Sequence, residues 1–217
     1  MSKPDGRTVA IGRICRDWWC ALAAIDPKTG KAIDGKDVNR AELARLRRIC
    51  TDDRTGGETV DTSYAIQQFA YGQLLRRLHP IARSAFRGPR ADLEFEEAVA
   101  VVAATLARVR EDTRPDVKVA KRLGLGKDGK AVADDEAARV MSVLRFKHLI
   151  RTRDWPGLLD HGRRIVLLLD RDVSVADLGA SVLLWKANPK VIRDWSFAYF
   201  QAEFAAPAEA ADEAAPV

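Results

Sequence analysis

Apolar residues in this chain recur every three or four positions, and the period-two alternation of Val, Ile and Thr that a half-buried strand needs is nearly absent. That spacing lines the apolar side chains of each segment along one face of a helix, so it predicts an all-α fold. The recurrence of Ala, Leu, Arg and Glu, all good helix formers, agrees. Start signals then locate the elements. Asn39 followed by Glu42 has the form of a capping box, Ser174 followed by Asp177 is similar, and Asn188 stands just ahead of Pro189 at a first helical position. Helices are expected over residues 13–25, 40–51, 62–79, 92–112, 134–152, 156–170, 174–187 and 189–204, with a short one at 116–123.

Two stretches interrupt this rhythm: DPKTGKAIDGKD at 26–37, and residues 113–130, which hold Pro115, Gly124, Gly126 and Gly129. The second is the better boundary. It divides the chain into an N-terminal helical bundle (1–112), a Gly-containing linker (113–133) and a C-terminal helical bundle (134–204). Residues 205–217 are low in complexity and acidic, the composition of a disordered tail.

With 217 residues, 47% of them hydrophobic, the chain has enough apolar surface to build a core without staples. No stretch of about 18 apolar residues is available to span a bilayer, and the first residues lack the pattern of a signal peptide, which places the protein in the cytoplasm away from membranes. Cys15, Cys20 and Cys50 are too few for a disulfide framework and read as buried free thiols in a reducing compartment. The net charge is +5, but residues 201–217 hold four acids and no Lys or Arg. The first 200 residues therefore carry 36 basic against 27 acidic side chains, a net +9 that attracts polyanions.

No catalytic residues, metal ligands or cofactor are legible. GLGKDGKA at 124–131 has the Gly and Lys spacing of much of a phosphate-binding loop. However, Ala131 replaces the Ser or Thr that would hold magnesium, and a helical VAKRL precedes the glycines where a strand should stand. His79, His148 and His161 have no metal-site spacing, and Cys15 and Cys20 lack a second pair. The five tryptophans sit in apolar helical patterns and read as core anchors rather than base-stacking platforms.

Arginine placement is the informative feature. In NRAELARLRRIC, helical projection sets Leu43, Leu46, Ile49 and Cys50 on one side and Arg40, Arg45, Arg47 and Arg48 on the other. In LLDHGRRIVLLL it turns Leu158, Leu159, Ile165, Val166 and Leu169 inward and Arg163 and Arg164 outward. Residues 139–153 hold five Lys or Arg and no acid, among them Arg145, Arg151 and Arg153; residues 62–91 add five more arginines, again without an acid. A planar guanidinium grips phosphate through two donors, so several acid-free clusters point to a groove that tracks a nucleic-acid backbone.

At these residues the sequence resembles the CasB family, the small subunit of the type I-E CRISPR Cascade complex. The likeness runs through RAELARLRR (40–48), LRFKHLIRTRDWPGLLDHGRRIVLLL (144–169) and VSVADLGASVLLWKANPKVIRDWSFAYF (173–200). It implies a non-catalytic helical subunit that pairs with a second copy as a homodimer. Its neighbours would be the backbone subunits that carry the guide RNA and the large subunit. Its basic surface would hold the displaced, single-stranded non-target DNA and so stabilise the R-loop. Carried over by position, Arg47, Arg48, Arg145, Arg151, Arg163 and Arg164 would make the contacts; charge and geometry add Arg40, Arg45 and Arg153. The departures from the family pattern are Asp52 and Asp53, the long glycine-bearing loop and the acidic tail. Rival readings are a free-standing helix-turn-helix regulator, which lacks a convincing turn before any basic helix, a helical adaptor for acidic partner proteins, and a helical hydrolase with a site assembled from distant residues.

Overall fold

A computed structural model describes residues 5–51, 56–57, 59–113, 115–132 and 138–201. The tail expected at 205–217, and Asp52 and Asp53, lie outside them. Among the described residues the protein is all-α, with no strand longer than an isolated bridge. Ten α-helices follow in order: α1 (Gly6–Ala23), α2 (Arg40–Arg47), α3 (Thr62–Ala65), α4 (Phe69–Ala82), α5 (Ala91–Leu106), α6 (Val119–Gly124), α7 (Val143–Arg151), α8 (Trp155–Leu168), α9 (Val175–Leu184) and α10 (Pro189–Gln201).

The centre is α5. Its sequence, ADLEFEEAVAVVAATL, becomes apolar all round after Glu97, and every side chain from Glu97 to Ala107 is buried. A helix without a polar face has to be enclosed, and α2, α3, α4, α8 and α9 pack around it. α1 lies chiefly against α9 and α4, and α10 against α6. The buried side chains on both sides of residues 113–133 form one continuous cluster. Small residues set its tightest contacts. A Cβ on Gly179 of α9 would stand 2.7 Å from Cys15 Cβ on α1, and one on Gly12 would stand 2.8 Å from the Ala176 carbonyl oxygen. Gly162 gives α8 the same close approach to Thr105 on α5. Enclosure in that contact pushes the Cys15 thiol up to about 12, so it stays protonated.

All five tryptophans are buried. Trp18 Nε1 donates to the Ala70 carbonyl (2.8 Å) and Trp195 Nε1 to Ser181 Oγ (2.8 Å). The caps work, with changed partners. Asn39 Oδ1 accepts from Glu42 N (3.1 Å), but the Glu42 carboxylate turns away to accept from Ala70 N (3.2 Å), joining α2 to α4. Ser174 Oγ accepts from Asp177 N (3.4 Å), while Asp177 itself accepts from Val119 N (2.8 Å), fixing the start of α6.

Several expected boundaries shift. α1 begins at Gly6, where Asp5 accepts from Arg7 N. The helix expected at 62–79 is broken by an extended Gln68, and the second part runs through Pro80 to Ala82. α5 ends at Leu106 because Arg110 and Glu111 leave the helix to bond the Arg171 carbonyl. Residues 138–142, expected to be helical, place Arg139 in a bridge with Gly126, and α7 starts at Val143. α2 stops at Arg47, so helical projection fails beyond it: Ile49 is buried but Cys50 is exposed, not turned inward.

The α1–α9 contact gives a stability test. Gly179→Ala should cost about 1–3 kcal/mol, because a methyl has no room against Cys15. Gly72→Ala, in the middle of α4 with nothing within 4 Å, should be neutral or stabilising by up to about 1 kcal/mol. Urea unfolding of both variants decides, and equal effects would refute the close-packing account.

Candidate nucleic-acid interface

Helix ends, rather than helix faces, gather the arginines. The last carbonyls of a helix have no intrahelical partner and carry partial negative charge, so guanidinium donors settle there. Arg47 Nε donates to the Ala107 carbonyl at the end of α5 (2.7 Å). Arg108 donates through Nη1 to Ala104 O (3.0 Å) and through Nη2 to Arg47 O (3.0 Å), closing the ends of α5 and α2 on each other. From α8, Arg163 Nη2 donates to Ile49 O (2.6 Å). The parallel bridge between Glu111 and Asp172 then brings in Arg110 and Arg171, the latter in a left-handed turn at φ 65°.

The result is a junction of five arginines: Arg47, Arg108, Arg110, Arg163 and Arg171. Two of them, Arg47 and Arg108, feel the others' charge. Burial first, and then Arg163, Arg47 and Arg171, pull Arg108 down to about 10. Burial, Arg171 and Arg110 also lower Arg47. Lowered proton affinity in the folded state means that these charges oppose folding at neutral pH. Asp160, 3.5 Å from Arg163 Nη1, is the one carboxylate paired with the junction among the described residues. Backbone carbonyls hold the Arg47, Arg108 and Arg163 guanidiniums in place without cancelling their charge.

A second basic region lies between α7 and α8. A groove of about 670 Å³ there is lined by Arg145, His148, His161 and Arg164 together with Leu144 and Leu167. Burial, reinforced by Arg164, lowers the His161 proton affinity. Arg153 Nη1 caps the end of α7 by donating to Ile150 O (2.7 Å) and Thr152 O (3.0 Å).

The sequence-predicted arginines thus separate into groups. Arg47 and Arg163 meet in the junction, and Arg145 and Arg164 meet in the groove. α8 serves both, since adjacent positions on a helix point about 100° apart. Arg45 is less available than its exposure suggests, because Glu42 Oε1 accepts from its Nη1 at 2.7 Å. Arg40, Arg48 and Arg151 are exposed. Arg139, counted in the basic run at 139–153, is buried beneath the Tyr199 ring, its guanidinium carbon 5.4 Å from the centroid. In the run at 62–91, Arg83 pairs with Asp92. Sequence reasoning missed Arg108, Arg110 and Arg171. The RVR at 108–110 is visible, but a bridge across 61 residues brings it to Arg171. Among the described residues, no three His, Cys, Asp or Glu side chains gather as a metal site, and no helix is long and apolar enough to cross a membrane.

The described residues thus form an all-helical protein with one continuous core and basic clusters at its helix ends. The family model for CRISPR-associated protein Cse2 (CRISPR_cse2) matches residues 42–200, and the chain belongs to that family, the CasB family of the sequence resemblance. It is accordingly a CRISPR Cascade subunit. The matched span contains α3 to α9 whole, almost all of α2 and α10, and every arginine of the junction. No curated protein and no solved structure matches the chain at a reliable level.

The like-charge junction makes a stability prediction with a definite sign. Arg110→Ala with Arg171→Ala removes two of the five charges and, among the described residues, no side-chain hydrogen bond. At low salt this should stabilise the fold by about 0.5 kcal/mol, a typical value for exposed pairs. The gain should shrink as salt shortens the screening length to about 10 Å near 0.1 M. Urea unfolding across a salt series checks it, and a salt-independent loss of stability would contradict it.

Proposed function

We propose that this Cascade subunit is a non-catalytic strand holder that binds the displaced, non-target single-stranded DNA through its basic surface and thereby stabilises the R-loop. The observation that carries this reading is the five-arginine junction, in which, among the described residues, Asp160 is the one carboxylate paired with the positive charge. Such charge is more readily understood as a phosphate site than as a structural necessity, since neutral side chains could cap the same carbonyls. Arg145, Arg151 and Arg164 would extend the track along α7 and α8, with Arg40 and Arg48 beyond the junction and Arg45 and Arg153 as flanking contacts. Phosphate contacts position a strand without reading its bases, which suits a complex in which guide pairing supplies the sequence information.

In this reading the subunit acts in the cytoplasm as a homodimer beside the backbone subunits that carry the guide RNA and the large subunit. The exchange of a DNA duplex for a guide–target heteroduplex is nearly balanced in energy, so modest contacts to the displaced strand are enough to tip it.

Reconstituted Cascade tests the proposal. Arg110→Ala/Arg171→Ala and, separately, Arg145→Ala/Arg151→Ala should leave guide-RNA loading intact and lower the yield of stable R-loops, the first pair despite its gain in fold stability. Loss of assembly would assign these residues to subunit contacts. An unchanged R-loop yield from folded variants would remove the strand-holding role.

A further inference from the structure

The α7–α8 groove combines two features that a plain phosphate track does not need. Leu144 and Leu167 line it while 68% and 54% exposed, a large apolar area left in water at roughly 25 cal/mol per Å². Around them stand Arg145, Arg164, His148 and His161, and among the described residues no carboxylate lines the groove. Two acids that act on His161 are engaged elsewhere: Asp154 caps α8 through Gly157 N (2.6 Å), and Asp160 reaches Arg163. Apolar floor and basic rim together fit a segment that is apolar and acidic.

This chain carries such a segment, and it begins beside the groove. Tyr199 near the end of α10 donates from its hydroxyl to the carbonyl of Met141 (2.6 Å), and Met141 is itself a lining residue. The Tyr199 ring stacks on Phe146 of α7 at 3.8 Å, and Phe200 meets both rings edge-on. The described chain therefore ends, at Gln201, against α7. Beyond it lie 16 residues, AEFAAPAEAADEAAPV, with Phe204, Glu203, Glu209, Asp212, Glu213 and no basic side chain. At about 3.3 Å per extended residue they reach up to about 50 Å from Gln201. The volume of about 670 Å³ accepts an aromatic ring and several alanines.

We infer that residues 202–217 dock in the groove between α7 and α8, Phe204 on Leu144 and Leu167 and the acids toward Arg145 and Arg164, and compete there with nucleic acid. Docking rests on the groove and the adjoining chain; the competition rests on the strand-holding reading above. The tail acts as a tethered polyanion whose high effective concentration offsets its weak contacts. A single strand displaces it only where the complex presents many phosphates at once, which keeps the free subunit from binding stray nucleic acid.

The three histidines supply a test that needs no DNA. His148 and His161 line the groove, whereas His79 lies on α4 against Phe95. In the histidine-labelled full chain, Glu203→Gln/Glu209→Gln/Asp212→Asn/Glu213→Gln should shift the ring resonances of His148 and His161 and leave His79 unmoved. The same substitutions should tighten binding of a fluorescent oligothymidylate about threefold at low salt. A synthetic peptide of residues 202–217 added to a variant ending at Gln201 should reverse both changes. Unmoved His148 and His161 lines overturn the docking. Shifted lines with unchanged DNA affinity overturn the competition. If the lines shift and neither protein retains DNA, the docking stands and the strand-holding reading fails. Shifts that grow with protein concentration would give the groove to a second copy's tail and overturn the intramolecular placement.

Discussion

Everything in this fold depends on the enclosure of α5. From Glu97 to Ala107 it presents no side chain to water, so it becomes a helix only as its neighbours close over it. Helices this apolar gain their stability from packing rather than from propensity. The requirement also orders the interior polar groups. Glu97, raised in proton affinity by burial, sits where α5 turns wholly inward, and its carboxylate accepts from Val60 N. At the other end the last carbonyls need donors, and the sequence supplies Arg108 from α5 itself and Arg47 from α2. The basic junction is the place where the core helix runs out.

That origin explains why the cluster tolerates itself. The guanidiniums of Arg47, Arg108 and Arg163 gain hydrogen bonds to carbonyls, which offset part of the repulsion among five like charges. Carboxylates would have removed the repulsion more completely, but also the field. The protein keeps both the fold and the charge, a compromise expected where a surface serves a partner rather than stability. α8 extends the arrangement, since Arg163 turns toward the junction and Arg164 toward the groove.

Much of the fold was legible because helical periodicity and caps are local. The inward faces of α2 and α8, the burial of the tryptophans and the starts of α2, α9 and α10 follow from residues within a few positions of each other. Failures occur where local pattern yields to tertiary contact. Cys50 follows the apolar spacing but lies past the last turn of α2, and Arg139 shares its run with exposed arginines yet is buried beneath Tyr199. Glu42 and Asp177 stand at capping-box positions and spend their carboxylates on other helices. The basic surface was visible as arginine density, and its organisation was not: the meeting of Arg47 with Arg108, and of Arg110 with Arg171, depends on pairs about 60 residues apart in the chain. The groove beside α7 was equally hidden, since its lining comes from two helices and brings residues 141–152 against residues 161–168.

The central claim, that the clustered arginines hold a strand by its phosphates, is tested most directly by the salt dependence of single-stranded DNA affinity. If about four to six phosphates are neutralised, the slope of log affinity against log salt should be roughly −3 to −4, from about −0.7 per contact. It should be the same for oligonucleotides of unrelated sequence, because backbone contacts carry no base information. A slope near zero, or an affinity that depends on sequence rather than salt, would contradict the account.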